Sequence, residues 1–304
     1  MAAISTQETV RIREGDVHLV VVRSDRGAEC GRPALLLHGL GARGRTWYGV
    51  AERFVDICPQ WECWVPDLLG RGASVGSEGS RLEKLRYGIP EDVRRLGEMS
   101  EVLWPGKGIP RLIAGHSHGA ALAMGLASAA NTGPVQRALL LCNPVTHKII
   151  PPAFLSVLRR PAARRAAGVL LAPLQAPLGR FITQMAAGPR FRVSPGVADE
   201  YSRPYDDSAG AAVLMKIMAD WQPAELEGFL PIPGETVSAH VVGGPHDRRI
   251  PLKAATDLAR MLSCPLTVIP DGGHLIPEQH PALLAGILRD LAGALEGGSE
   301  AAGE

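Results

Sequence analysis

The sequence predicts an α/β fold: a mostly parallel, doubly wound sheet with a helical insertion after its sixth strand. Three observations carry this prediction. Short, wholly apolar runs such as Ala34-Leu35-Leu36-Leu37 recur along the chain, and a strand buried on both faces of a parallel sheet reads this way. Stretches with helical spacing alternate with these runs, as crossover helices in such a sheet require. From Val145 to about Pro223 strand-like runs stop, and proline and arginine become frequent.

In chain order, Val10 to Arg13 and Val17 to Arg23 flank Glu14-Gly15-Asp16, a turn signal, and predict a hairpin. Pro33 leads into the Ala34–Leu37 strand, and Trp61 to Pro66 forms the next. Pro90 to Trp104 predicts a helix with Val93, Leu96, Met99, Val102 and Leu103 toward the core. Arg111-Leu112-Ile113-Ala114 and Arg137 to Cys142 are two more strands, separated by the small-residue helix Ala120 to Leu126. The insertion is broken at Pro161, Pro173, Pro177, Pro189 and Pro195. Strands resume at Val237 to Val242 and Leu266 to Ile269, and the Gly-, Ala- and Glu-rich tail after Leu291 is expected to fray. The organisation is therefore a core over residues 1–144, a helical insertion over 145–223 and the rest of the core over 224–304.

Composition narrows the function. At 304 residues the chain can hold one large core and a smaller lid. A formal net charge of +1 and 5% aromatic residues argue against a nucleic-acid partner, which would need a basic field or stacking platforms. The five cysteines, Cys30, Cys58, Cys63, Cys142 and Cys264, match no zinc spacing and demand no oxidising compartment. The N-terminus lacks a basic and apolar leader, and no apolar run spans a bilayer. A cytoplasmic location is the expectation.

The chemistry points to Gly115-His116-Ser117-His118-Gly119. A strand runs into this Gly-x-Ser-x-Gly pentapeptide and a helix runs out, the context of a nucleophile elbow. A serine hydroxyl needs a base, and the base needs an orienting carboxylate. Downstream, His240 to Pro251 reads as a strand, a turn and a helix entry carrying Asp247. Leu266 to His274 reads as a strand and a Gly-rich loop carrying His274. Both candidates follow a strand's carboxyl end, where ligands bind in open α/β sheets. Taken alone, Asp247 reads as the cap of the helix after it; its chain order and the strand before it turn the reading to the acid. Asp257 lies inside that helix, and Asp271 is close to His274 along the loop.

These pieces, with His38-Gly39-Leu40-Gly41 and the loop Asp67 to Ser74, resemble the α/β-hydrolase superfamily in its capped serine-hydrolase branch, in order and spacing over nearly the whole chain. The resemblance implies an α/β-hydrolase sheet with the insertion as its cap. It implies Ser117 as nucleophile, His274 as general base and acid, and Asp247 as the orienting acid. The backbone N–H groups of Leu40 and His118 would form the oxyanion hole. His38, Gly39, His116 and His246 are the candidate substrate contacts, although the family's usual role for His38 is structural. Asp67 reads as a loop-holding residue. Some relatives carry the acid one strand earlier, where this chain has Asn143-Pro144. A serine at the elbow centre sets the chain apart from dehalogenases and epoxide hydrolases that use an aspartate nucleophile.

The implied activity is hydrolysis of a carboxylic ester or lactone through an acyl-enzyme, with no metal and no cofactor, on a small and partly apolar substrate. Alternatives on the same scaffold are a lyase or cyclase, a C–C or thioester hydrolase, and a non-catalytic accessory protein. The insertion has no Asp or Glu between Val145 and Ala198, while Lys148 and seven arginines from Arg159 to Arg192 interleave with apolar residues. Solvated arginines over a packed apolar face are the plain reading. An anionic substrate, an acyl-carrier partner or a membrane surface are the sharper ones.

Overall fold

The computed structural model describes residues 3–26, 31–129, 136–146, 152–171, 174–202, 208–221, 228–229 and 237–300. The predicted hairpin is β1 (Ala3–Ile12) and β2 (Gly15–Ser24). Then come β3 (Arg32–Leu37), α1 (Tyr48–Ile57), β4 (Trp61–Pro66), α2 (Gly79–Leu82), α3 (Ile89–Leu103), β5 (Leu112–His116), α4 (His118–Ala129) and β6 (Arg137–Cys142). Five helices follow without a strand among the described residues: α5 (Pro152–Leu158), α6 (Pro161–Leu171), α7 (Gln175–Ala187), α8 (Pro195–Ser202) and α9 (Ser208–Asp220). The chain closes with β7 (Val237–Gly243), α10 (Leu252–Met261), β8 (Leu266–Val268), α11 (Ile276–Gln279) and α12 (Pro281–Glu300).

The eight strands form one sheet in the order β1-β2-β4-β3-β5-β6-β7-β8. β1 and β2 pair antiparallel, as do β2 and β4, and every other pair is parallel. Side chains alternate across the pleat, so each central strand feeds two cores. Leu35, Leu37, Ile113, Leu139 and Leu141 pack on one face beneath α3, α4 and α10. Ala34, Leu36, Leu112, Ala114 and Leu140 pack on the other beneath α1 and α12. Such double burial is the physical reason these strands read as unbroken apolar runs.

Three expectations change, the first at the tail, which after Leu291 continues in α12 as far as Glu300. Val102, expected in the core, is 55% exposed; it lies nine residues, two and a half helical turns, after the buried Val93 and so on the opposite side of α3. Pro161 and Pro195 open α6 and α8, and Pro177 falls in the first turn of α7. A helix's first turn needs no proline N–H, so these prolines start the insertion's helices rather than only breaking them. Cys58, Cys63, Cys142 and Cys264 are free thiols, the last only half-buried; Cys30 lies outside the described residues.

Candidate active site

The sheet register collects the site. Leu37 is opposite Gly115, His116 opposite Cys142, and Cys142 opposite Val242. The loops leaving β3, β5, β6, β7 and β8 therefore emerge along one edge, carrying Gly39, Ser117, Asn143, Asp247 and His274.

Ser117 stands between β5 and α4 at φ 56°, in the left-handed region, which costs a non-glycine residue about 1–2 kcal/mol. Its neighbours make the turn possible. A Cβ on Gly115 would sit 2.2 Å from the Gly119 carbonyl oxygen, and one on Gly119 would sit 2.2 Å from that of Leu37. The Ser117 N–H donates to the Cys142 carbonyl at 2.8 Å, pinning the elbow to β6. The loop after β3 lies against it: a Cβ on Gly39 would come within 3.3 Å of the Ser117 Cβ.

Asp247 divides its two oxygens between both roles open to it. Oδ1 accepts the N–H groups of Arg249 at 2.7 Å and Ile250 at 2.9 Å, capping the turn. Oδ2 lies 2.7 Å from His274 Nδ1 and also accepts from Asn143 Nδ2. Burial alone would raise this carboxyl. The His274 hydrogen bond and charge, the Ile250 N–H and the Asn143 amide outweigh it and hold Asp247 below its ordinary range. The Asp247 hydrogen bond occupies Nδ1 of His274 and leaves Nε2 as the other ring nitrogen.

Asn143 is a site residue that sequence reasoning passed over because it is not a carboxylate. It sits at φ 44° directly after β6, and its Nδ2 also donates to the Gly273 carbonyl at 3.1 Å. The available signal was its position, at the end of the strand next to the one that delivers the acid.

Three histidines around the serine are buried and neutral. His38 is not a substrate contact, contrary to expectation. Its ring is wholly buried: Nδ1–H donates to the Gly39 carbonyl at 2.7 Å, and Nε2 accepts the Leu68 N–H at 3.0 Å. Burial, the leading cause, takes its pKa down to about 4. His116 is expected on the pocket wall but serves as a prop. Its Nε2 donates to the His274 carbonyl at 2.6 Å, and the two rings pack with centroids 4.8 Å apart. Burial and the neighbouring His274 lower it to about 3. His118 meets the Trp221 ring edge-on at 5.6 Å, and burial followed by the Arg71 charge lowers it to about 3. Its two ring nitrogens have no hydrogen-bond partner among the described residues.

The helices of the insertion close over this edge. Trp221 follows α9, and Leu214 of α9 reaches the loop after β3 at Gly41, where a Cβ would lie 3.8 Å from it. The end of α7 holds the His274 loop: the His274 N–H donates to the Ala186 carbonyl at 2.8 Å. Gln279 bridges the same seam, accepting from Gly273 N at 2.9 Å and donating to the Ala187 carbonyl at 2.9 Å. His246 is half-buried beside it, its carbonyl 3.5 Å from where a Gly188 Cβ would stand. Asp67 holds its own loop through Gly44 N at 2.6 Å and Ala73 N at 2.7 Å. Among the described residues no group of three His, Cys, Asp or Glu side chains is arranged to hold a metal ion.

An open, mostly parallel sheet with an elbow serine and an acid–histidine pair on one edge defines the class of α/β-fold hydrolases. The sequence profile of the Alpha/beta hydrolase family matches residues 34–287, and the chain belongs to that family. Among solved structures, it resembles an alpha/beta hydrolase fold protein from Burkholderia ambifaria (TM-score 0.73, 21% identity, 93% of this chain and 97% of that one). It also resembles a thermophilic esterase from Thermogutta terrifontis (TM-score 0.63, 21% identity, 96% and 99%). A third is an epoxide hydrolase from Solanum tuberosum (TM-score 0.70, 16% identity, 96% and 100%). By sequence it is 29% identical over 296 residues to the magnesium-chelatase 30 kDa subunit of Rhodobacter capsulatus, covering 92% of this chain and 93% of that protein.

Proposed function

We propose that the chain is a serine hydrolase that cleaves a carboxylic ester or lactone. The carrying observation is the buried Asp247–His274 hydrogen bond of 2.7 Å, on the same sheet edge as a serine at φ 56°. In this reading Ser117 Oγ attacks the carbonyl carbon while His274 Nε2 takes its proton. The Leu40 and His118 backbone N–H groups receive the oxyanion, contributing on the order of 3 kcal/mol each. Collapse expels the alcohol, protonated by His274, and leaves an acyl group on Ser117. A water deprotonated by His274 then adds to the acyl carbon, and the acid leaves as Ser117 regains its proton. Asp247 keeps Nδ1 protonated and stabilises the imidazolium.

The test does not need the substrate. After fluorophosphonate treatment, intact mass should show one adduct on the wild type and none on Ser117→Ala. A folded wild type that takes no adduct sinks the reading. For any ester found, turnover in oxygen-labelled water should put label in the acid product; an unlabelled product would favour the lyase or cyclase alternative.

A second reading rests on the relative named as a magnesium-chelatase subunit, matched over nearly the full length of both chains. It gives this chain an accessory part beside a magnesium chelatase, with or without use of Ser117. Failure of the adduct test together with specific retention of a chelatase subunit would favour it.

A further inference from the structure

Helix α7 is built with its large apolar side chains outward. Its inner face is small: a Gly179 Cβ would sit 2.6 Å from Ser202 Cβ on α8, and Thr183 and Ala186 complete the buried side. Leu178, Phe181, Ile182 and Met185 follow the i, i+3, i+4, i+7 spacing of a core-facing stripe, yet all four are exposed, Phe181 at 61%. Leu174 extends the stripe, and on α6 Leu170, at 73%, and Val169 are exposed as well. The plain expectation, that the insertion's apolar residues pack inward, holds for Leu155 and Leu158 but not for these.

The free charges near the stripe are cationic, while Arg180 of α7 is matched by Asp199 of α8. Arg159 and Arg160 lie at the turn from α5 to α6, and Arg190 and Arg192 just beyond α7. All four are exposed and carry no ion pair among the described residues. Arg164, Arg165 and Arg180 differ, being paired with Glu83 or Asp199. No Asp or Glu occurs between Val145 and Ala198. The exposed stripe of α7 is apolar and Arg190 and Arg192 follow its end, which suits a helix lying in a bilayer interface. No helix among the described residues is long and apolar enough to cross a membrane, so the contact is peripheral.

We infer that the outer face of α7, with Arg190 and Arg192 beyond its end, docks on an anionic lipid surface. The apolar stripe enters the headgroup boundary and the arginines meet lipid phosphates and carboxylates. The docked helix is the one whose last carbonyls hold the His274 loop, so docking sets the candidate site against the lipid. Binding needs no turnover, and its test stands whether or not Ser117 is used.

The experiment is vesicle co-sedimentation of the full chain at low and high salt. One vesicle is phosphatidylcholine alone; the other is roughly one-third phosphatidylserine in phosphatidylcholine. The wild type should bind the mixed vesicles, less so in high salt, and bind phosphatidylcholine weakly. Phe181→Glu with Ile182→Glu should lose at least about tenfold in partitioning. Arg190→Gln with Arg192→Gln should lose about fivefold per arginine. These side chains are exposed, and near-ultraviolet circular dichroism should report intact folds. Equal binding by the Glu double variant, or indifference to phosphatidylserine, overturns the inference. So does a wild-type dimer on gel filtration that the Glu variant converts to monomer, or retention by an acidic acyl-carrier protein without binding to vesicles.

Discussion

At Asp247 one carboxylate serves the fold and the site at once, because its oxygens have separate partners. Asn143 is the side chain that ties its site-facing oxygen to the His274 loop. Asn143→Asp is a clean probe, since Asp is among the few non-glycine residues that enter the left-handed region readily. A second carboxyl against Asp247 Oδ2 resists ionisation of the pair. The acid limb of the kcat/KM profile should therefore move to higher pH, measured on any ester the wild type cleaves. An unmoved limb would show that Asn143 has no electrical hold on Asp247. Asp247→Asn alone should cost about 10⁴-fold in kcat, and adding Asn143→Asp should recover part of that by returning a carboxylate to the neighbouring strand end. Ser117, Asp247 and His274 were legible because each residue type sits after a recognisable strand. Asn143 was not, because its role depends on β6 and β7 being neighbours, and adjacency in a sheet is not written in local spacing.

The seam between α7 and the His274 loop is where elements meet. Gln279 joins both sides with one amide, and the Ala186 carbonyl holds the His274 N–H directly. Gln279→Ala loosens the loop without touching a reacting atom. It should lower kcat about tenfold with little change in KM, as misplacement of a catalytic base does. Gln279→Glu, which keeps the acceptor for Gly273 but not the donor for Ala187, should fall between. A rise in KM at constant kcat would assign Gln279 to substrate binding instead. The same seam marks what pattern reading misses at this scale. Prolines and missing strand runs located the insertion, and N-terminal prolines even mark where four of its helices begin. The facing of α7 was hidden, because its stripe has the spacing of a core helix and only the small residues opposite it, packed on α8, show which side is inside.

For the whole molecule the buried histidines set the response to acid. His38, His116 and His118 stay neutral down to about 4, 3 and 3, while in the unfolded chain they protonate near 6.5. Their folded pKa values are depressed, so their contribution is complete above 6.5 and is lost as pH falls below it. Glu278 acts the other way. Burial leads in raising it to about 7, against the Tyr201 hydrogen bond and the Arg45 charge, so the folded chain keeps a proton that the unfolded chain releases above 4.5. Its contribution is present below 4.5 and lost as pH rises through 7. At pH 5.5 unfolding therefore takes up nearly three protons at the histidines and gives one back at Glu278. Half-buried His240, also lowered by burial, adds a fraction. Asp247 and Asp92 are held below their ordinary range, so their losses begin only below about 4, outside this window. Net uptake of about two protons makes stability fall by about 3 kcal/mol per pH unit between 6 and 5. Urea unfolding across that range should show this slope. Glu278→Gln removes the opposing group, and its slope should be steeper by about one proton. A slope that is flat in the wild type, or unchanged in the variant, would mean that the three rings are not kept neutral together. The histidines packed around the elbow would then be free to charge within the folded protein.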